Sequence, residues 1–286
     1  MNAAPHLLID RLQRFAPQTA AVAGGQVAYR QAGAQHVSHV LLHGIGSASG
    51  SWLMQLEAAQ AHAGSKKTGL LAWDAPGYST SSPVAPAQPN AGDYADKLWA
   101  WLDALGITHP VTLVGHSLGA LMATRAAVQR PGQVVRLVLL APAQGYARAS
   151  AAERDKKLND RLQQLAELGP ELLGQQRGAG MVSPNAPPDM KAYVQHMMSH
   201  IKVRGYTQAA HLLAGGDLLT DMARVECPVT VASGRLDNAT PMQACQAVAQ
   251  AANTAWIDLG PVGHACALEA AAQVNTLLPI HSSPHT

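Results

Sequence analysis

A chain of 286 residues with a formal charge of +2 has room for one large domain or two smaller ones, and its Lys and Arg residues are scattered among acids rather than gathered into the basic stripe that nucleic-acid binding needs. Hydrophobic residues make up 48% of it, ample for a buried core, but aromatics only 4% with Phe15 the single phenylalanine, so packing is expected to rest on Leu, Val, Ala and Met. No run of about eighteen apolar residues offers a membrane span, so DNA, RNA and a bilayer are all excluded as expected partners.

The opening segment MNAAPHLLIDRLQRF carries Asp10, Arg11 and Arg14 where a signal peptide would need an apolar stretch, which predicts a chain without a leader and a cytoplasmic location. Thr19–Gln31 reads as a β-hairpin turning at Gly24-Gly25. There follow a strand at His39–Leu42, a helix at Ser51–Ala63, a strand at Gly69–Trp73 and a helix at Asp93–Leu105. The alternation continues through Val111–Gly115, the Ala-rich helix Leu118–Arg130 stopped by Pro131-Gly132, and the strand Val134–Leu140. This is the rhythm of a mostly parallel sheet flanked by helices.

Inside that run, VTLVGHSLGALMATRA (Val111–Ala126) places Ser117 where a buried strand turns sharply into a helix. Presenting a side chain on so tight a turn strains its backbone and demands small residues two before and two after, which Gly115 and Gly119 supply. The N–H groups opening the helix, that of Leu118 first, point at any negative charge that develops beside the serine.

After Ala141-Pro142 the rhythm breaks. Residues 143–222 hold no convincing strand but several amphipathic helical stretches, such as Glu153–Leu168 and Met190–His200, divided by the Pro-rich hinge Ser183–Pro188. The sheet pattern resumes at Pro228–Ala232, whose end carries Asp237 on a loop, and at Ala255–Leu259, beyond which comes His264 and then a helix at Ala265–Leu277. Strand ends of a parallel sheet share one edge, so Ser117, Asp237 and His264 are expected to converge there as nucleophile, orienting acid and base. The order Ser, Asp, His along the chain fits that arrangement.

On these residues the chain resembles an α/β-hydrolase-fold protein over most of its length. Besides GHSLG, the string Leu41-Leu42-His43-Gly44-Ile45-Gly46 resembles the oxyanion loop after the third strand, with Ile45 at the position whose N–H joins that of Leu118. Asp74–Ser81 resembles the D-x-P-G-x-G-x-S turn after the fourth strand, with Ser79 in place of the usual glycine. GRLDNATP and GHACALE resemble the acid and histidine loops.

The resemblance implies an α/β core of residues 1–142 and 223–286 with an all-helical lid, residues 143–222, inserted after the sixth strand. It implies a serine hydrolase of small carboxylic esters or lactones, of the enol-lactonase and esterase kind found in aromatic-compound catabolism. A small-molecule substrate, no metal, no organic cofactor and a monomer or homodimer are expected. Carbon-carbon bond hydrolases of ring-fission dienones share the triad and rank second, because they favour a more Gly- and Pro-rich oxyanion loop and an asparagine where this chain has His116. Thioesterases, acyltransferases and perhydrolases share the same machinery. Dehalogenases and epoxide hydrolases use aspartate where Ser117 stands. A non-catalytic ligand binder of the same fold is the rival from another class.

His43 and His116 are read as positioning groups, because the elbow turns His116 away from the serine hydroxyl. Met181, Met190, Met197, Met198, Leu212 and Leu213 are candidate pocket linings. Arg148, Arg154, Lys191 and Arg204 are candidate carboxylate anchors, set against near-equal basic and acidic residues in the lid that give no signal for an anionic substrate. His196 and His200 have helical i, i+4 spacing but lack the glutamate of a zinc protease motif. The three cysteines, Cys227, Cys245 and Cys266, suit neither a disulfide framework nor a zinc site and read as small buried hydrophobes. An exposed Cys266, two residues past His264, would make the site sensitive to thiol reagents.

Overall fold

The structure, a computed structural model, describes residues 6–61 and 68–280. Residues 62 and 63 of the helix predicted after Ser51, and residues 1–5 of the segment read for a leader, lie outside them.

The strands β1 (Gln18–Val22), β2 (Gly25–Gly33), β3 (Val37–Leu42), β4 (Gly69–Trp73), β5 (Val111–His116), β6 (Val134–Leu140), β7 (Val229–Ser233) and β8 (Trp256–Asp258) form one sheet in the order β1-β2-β4-β3-β5-β6-β7-β8. The hairpin β1-β2 and the pair β2-β4 are antiparallel and every other pairing is parallel. The hairpin turns at Ala23-Gly24, one residue earlier than predicted, with Gly24 and Gly25 at φ 76° and 136°.

Strand β3 shows why the sequence reads as buried on both faces. Val40 and Leu42 point into one apolar cluster and Leu41 into the other, all fully buried, so both sides of the sheet need helices over them. Helices α1 (His6–Gln13) and α2 (Leu53–Ala61), the latter entered through a 3-10 turn at Ser49–Trp52, cover the face on which Leu41 lies. Helices α3 (Ala91–Ala104) and α4 (Leu118–Gln129) cover the other. Asn90 and Asp93 cap α3 reciprocally, Asn90 accepting from Gly92 N and Asp93 accepting from Asn90 N at 2.7 and 2.8 Å. α1 was not foreseen. Its Leu8 and Leu12 are buried, and Arg11 reaches Glu57 of α2 at 2.9 Å.

The few aromatics are concentrated inside, contrary to a core of aliphatics alone. Trp73 stacks on Trp101 at 6.2 Å, Tyr29 meets Trp101 at 5.3 Å, and Trp52, Tyr78, Tyr94 and Tyr193 are among the largest fully buried side chains.

Between β6 and β7 the described residues contain no strand. They form α5 (Ala151–Gly178), α6 (Pro188–Ser199), α7 (Val203–Gly215) and the short α8 (Leu218–Met222). α5 is two helices joined at a kink, since Gly169 takes φ 66° and Pro170 follows it, which is why the predicted helix stopped at Leu168. After β7 come α9 (Met242–Ala251) and, past β8, α10 (Cys266–Glu269) and α11 (Ala271–Leu277), one predicted helix broken at Ala270. No described helix is long and apolar enough to cross a membrane.

Candidate active site

Ser117 sits between β5 and α4 with φ 53° and ψ −117°, outside both strand and helix geometry. The flanking glycines are sterically required. A Cβ on Gly115 would lie 2.5 Å from the Gly119 oxygen, and one on Gly119 would lie 2.2 Å from the Leu42 oxygen. Its backbone is tied on both sides, Ser117 N donating to Leu140 O at 3.0 Å and Ala143 N donating to Ser117 O at 3.1 Å. Leu118 is the first residue of α4, so its N–H has no acceptor within the helix.

Asp237 and His264 occupy the loops after β7 and β8. His264 Nδ1 donates to Asp237 Oδ2 at 2.8 Å, and both residues are buried. The other contacts fix the carboxylate: Oδ1 accepts from Ala239 N and Thr240 N at 2.8 and 2.9 Å, and Oδ2 accepts from the Thr240 hydroxyl at 2.7 Å. Burial opposes the charge, but the hydrogen bonds from His264 and Thr240 outweigh it and hold the Asp237 carboxyl below its usual range. The histidine loop is pinned from below by Glu269, whose carboxylate accepts from Gly263 N at 2.9 Å and from Ser183 N of the Pro-rich hinge at 3.0 Å. Ala265 N also donates to Met181 O at 2.7 Å, so loop and insertion hold each other.

The loop after β3 lies against the elbow. A Cβ on Gly44 would be 3.0 Å from that of Ser117. His43 is fixed in one neutral tautomer, Nδ1 donating to Gly44 O at 2.8 Å and Nε2 accepting from Ala75 N at 3.0 Å, and burial pulls its pKa down. The turn after β4 props this loop: Tyr78 OH donates to Ile45 O at 2.6 Å and Asp74 accepts from Ser49 N at 2.7 Å. Ser79, where the resembled motif has glycine, takes φ 50° and so carries the left-handed conformation without a glycine's freedom.

Ser117, His264, His116 and Ile45 line one cavity of about 400 Å³. Of the predicted linings, Met181, Met197, Met198 and Leu213 face it. Leu212 does not: it is fully buried in the cluster that includes Leu121 and Met122 of α4. Met190 packs on the opposite cluster. The four cations proposed as anchors are elsewhere. Arg148 pairs with Asp217 at 2.8 Å, Arg154 approaches Asp155 at 3.7 Å, Lys191 donates to Pro184 O at 2.7 Å, and Arg204 is exposed. The cations that do line the cavity are Lys157, Arg161 and Arg177 of α5, with Tyr146 and Tyr206 beside them. The signal that would have found the first two is their i, i+4 spacing in register with Leu165, which is buried.

Cys266 is fully buried, as its reading as a small hydrophobe expects, and burial pushes its thiol well up, which removes the alternative of an exposed thiol sensitive to reagents. His196 and His200 pack ring to ring at 4.1 Å, and His200 Nδ1 donates to His196 O at 2.7 Å.

The chain matches the Alpha/beta hydrolase family over residues 40–277. It is 29% identical over 240 residues, 82% of this chain and 86% of the relative, to the (E)-2-((N-methylformamido)methylene)succinate hydrolase of Acinetobacter baylyi. Among solved structures, a thermophilic esterase from Thermogutta terrifontis superposes with a TM-score of 0.78 at 18% identity, covering 93% of this chain and 100% of that one. The enol-lactonase of Burkholderia xenovorans superposes with a TM-score of 0.76 at 21% identity, covering 92% and 99%. Likeness at these identities is a likeness of fold.

Proposed function

This chain belongs to the alpha/beta hydrolase family, and from that premise we propose that it hydrolyses a small carboxylic ester or lactone through an acyl-enzyme on Ser117. The observation that carries the proposal is the 2.8 Å hydrogen bond from His264 Nδ1 to Asp237, beside a serine held at φ 53° in the same cavity. Asp237 keeps the proton on Nδ1, which leaves Nε2 free to act as base.

In the first half-reaction Ser117 Oγ attacks the carbonyl carbon and its proton passes to His264 Nε2. The carbonyl oxygen becomes an oxyanion that the Ile45 and Leu118 N–H groups stabilise, each such donor contributing about 3 kcal/mol. The C–O bond to the leaving alkoxide then breaks and the alkoxide takes the proton from His264. In the second half-reaction water attacks the acyl-enzyme, giving its proton to the same nitrogen. The Ser117–acyl bond breaks, the serine recovers its proton and the acid leaves. Residues 143–222 act as the lid over a core of residues 1–142 and 223–286, since Met181, Met197 and Leu213 from that segment wall the cavity and exclude water.

The relative named for a formamido compound favours a second reading, in which the bond cleaved is C–N and the same acyl-enzyme forms. Acid release from matched esters, lactones, thioesters and formamides separates the two. Turnover of one class that disappears in Ser117→Ala supports the assignment and names the bond. Turnover retained in Ser117→Ala overturns it.

A further inference from the structure

We propose that Arg161, seconded by Arg177 and Lys157, forms a carboxylate-binding subsite inside the cavity, so that the substrate is an ester or lactone that also carries a free carboxylate. The proposal deepens the serine hydrolase reading of the same site and rests on it.

The charge balance of the cavity is one-sided. Its lining contains three cationic side chains and neither an aspartate nor a glutamate. Asp237, the nearest acid along the catalytic loops, is buried behind His264 and spent on four hydrogen bonds. The insertion's own acids leave the two arginines unneutralised. Arg161 Nη1 donates to the Tyr206 hydroxyl at 3.2 Å, and Arg177 Nη1 donates to Gln164 Oε1 at 3.2 Å. Among the described residues, which include every aspartate and glutamate of the chain, neither arginine has a carboxylate within ion-pair distance. Elsewhere the chain does pair its arginines: Arg125 holds Asp221, Arg130 holds Asp103 and Arg148 holds Asp217, at 2.9, 2.8 and 2.8 Å. Lys157 is partly engaged, 3.8 Å from Glu153 and 5.0 Å from the Tyr146 ring centroid.

The Arg161 guanidinium, largely withdrawn from water in a cavity that Met197, Met198 and Leu213 also line, keeps its charge with only the hydroxyls of Tyr206 and Tyr146 as partners, and no anion compensates it. A substrate carboxylate restores the balance, and the planar fork of Arg161 suits it bidentately. Because Tyr206 accepts from Arg161, its own hydroxyl proton is available to the same carboxylate. The near-equal acid and base content of the insertion conceals this arrangement, since its acids Glu153, Asp155, Asp160, Glu167 and Glu171 on α5 face away from the cavity while Lys157, Arg161 and Arg177 of the same helix line it.

The test compares an anionic ester, 4-nitrophenyl hemiglutarate, with its neutral counterpart 4-nitrophenyl butyrate in wild type, Arg161→Gln, Arg161→Lys and Ser117→Ala. The ratio of kcat/KM, anionic over neutral, is expected to exceed one in wild type and to fall about 10- to 100-fold in Arg161→Gln, with partial recovery in Arg161→Lys. Serine-dependent turnover of both esters with no preference, or a preference that Arg161→Gln leaves intact, overturns the subsite while sparing the hydrolase. If neither ester is turned over, calorimetric titration of glutarate decides the subsite by itself: binding in wild type that is lost in Arg161→Gln supports it, and no binding in wild type overturns it.

Discussion

His116 Nε2 donates to the main-chain oxygen of His264 at 2.8 Å, so the residue before the elbow serine holds the loop that carries His264, the proposed base. The two rings lie 4.8 Å apart, and burial, aided by the neighbouring His264, pulls the His116 pKa down to about 3, which keeps it a neutral donor. Removing it in His116→Ala leaves a buried carbonyl unpaired and the histidine loop loose. We expect a loss of about 1–3 kcal/mol in stability and a fall in kcat of about tenfold with KM little changed. His116→Asn keeps a donor and is expected to recover most of both. Thermal unfolding and steady-state kinetics check this, and a wild-type kcat in His116→Ala counts against the positioning role.

Ser117→Gly separates strain from chemistry. At φ 53° and ψ −117° the serine occupies backbone space that an L-residue rarely adopts. Glycine relieves it, so the variant is expected to be more stable by about 1 kcal/mol and wholly inactive. A drop in melting temperature would show that the elbow is not strained as its torsions indicate.

The parts of this site legible in the sequence are those in which backbone geometry dictates residue type. Gly115 and Gly119 have no room for a Cβ, Ser117 must follow a strand and precede a helix, and Asp237 and His264 stand where parallel strands end. What stayed hidden depends on how the insertion docks. Nothing in the sequence marks Lys157 and Arg161 until α5 is laid over the cavity, and of Leu212 and Leu213, both buried in one apolar cluster, only Leu213 also reaches the cavity because the helix turns it that way. Cys266 left two readings open for a related reason, since its position two residues past His264 says nothing about which way the first turn of α10 faces, and the structure buries it.

Asp237→Asn changes the partner of His264 Nδ1 from a carboxylate to an amide that can present its N–H. The imidazole then takes the wrong tautomer, and kcat is expected to fall about ten-thousand-fold with the fold retained. Thr240→Val removes the 2.7 Å hydrogen bond to the same Oδ2 and should cost far less, about tenfold, because Ala239 N and Thr240 N still hold the other oxygen. Equal losses in the two variants would argue that Thr240, not charge, orients the histidine.

Stability is expected to fall on mild acidification, beginning near pH 6.5 with a buried histidine. Burial, with Arg136 adding to it, lowers the His39 pKa to about 4, against about 6.5 in the unfolded chain. Between those values the unfolded state binds a proton that the native state refuses. Stability is therefore full above pH 6.5 and drains as pH falls toward 4, by about 1.4 kcal/mol per pH unit for this group, with His116 acting in the same direction. Chemical denaturation from pH 7 to pH 4.5 should show that slope, and His39→Gln should reduce it by one proton's worth. An unchanged slope would mean that His39 titrates normally in the fold.

The insertion meets the core backbone to backbone where Gly205 of α7 crosses Gly77. A Cβ on Gly205 would lie 2.2 Å from the Gly77 oxygen, and Gly77 itself takes φ 84° in the turn whose next residue, Tyr78, holds Ile45. Gln208, one turn along α7, reinforces the joint by donating to Val84 O and Pro86 O at 2.8 and 2.6 Å. Gly205→Ala must push α7 away from this turn, and the disturbance passes through Tyr78 to the loop after β3 that carries Ile45. We expect it to cost about 2 kcal/mol and to lower kcat. Gly215→Ala near the end of the same helix, where a Cβ meets nothing within 4 Å, is the control and should be neutral or stabilising by up to about 1 kcal/mol. Unfolding and kinetics on the pair decide whether the close approach at Gly205 matters, because both variants gain the same methyl group and differ only in what it meets.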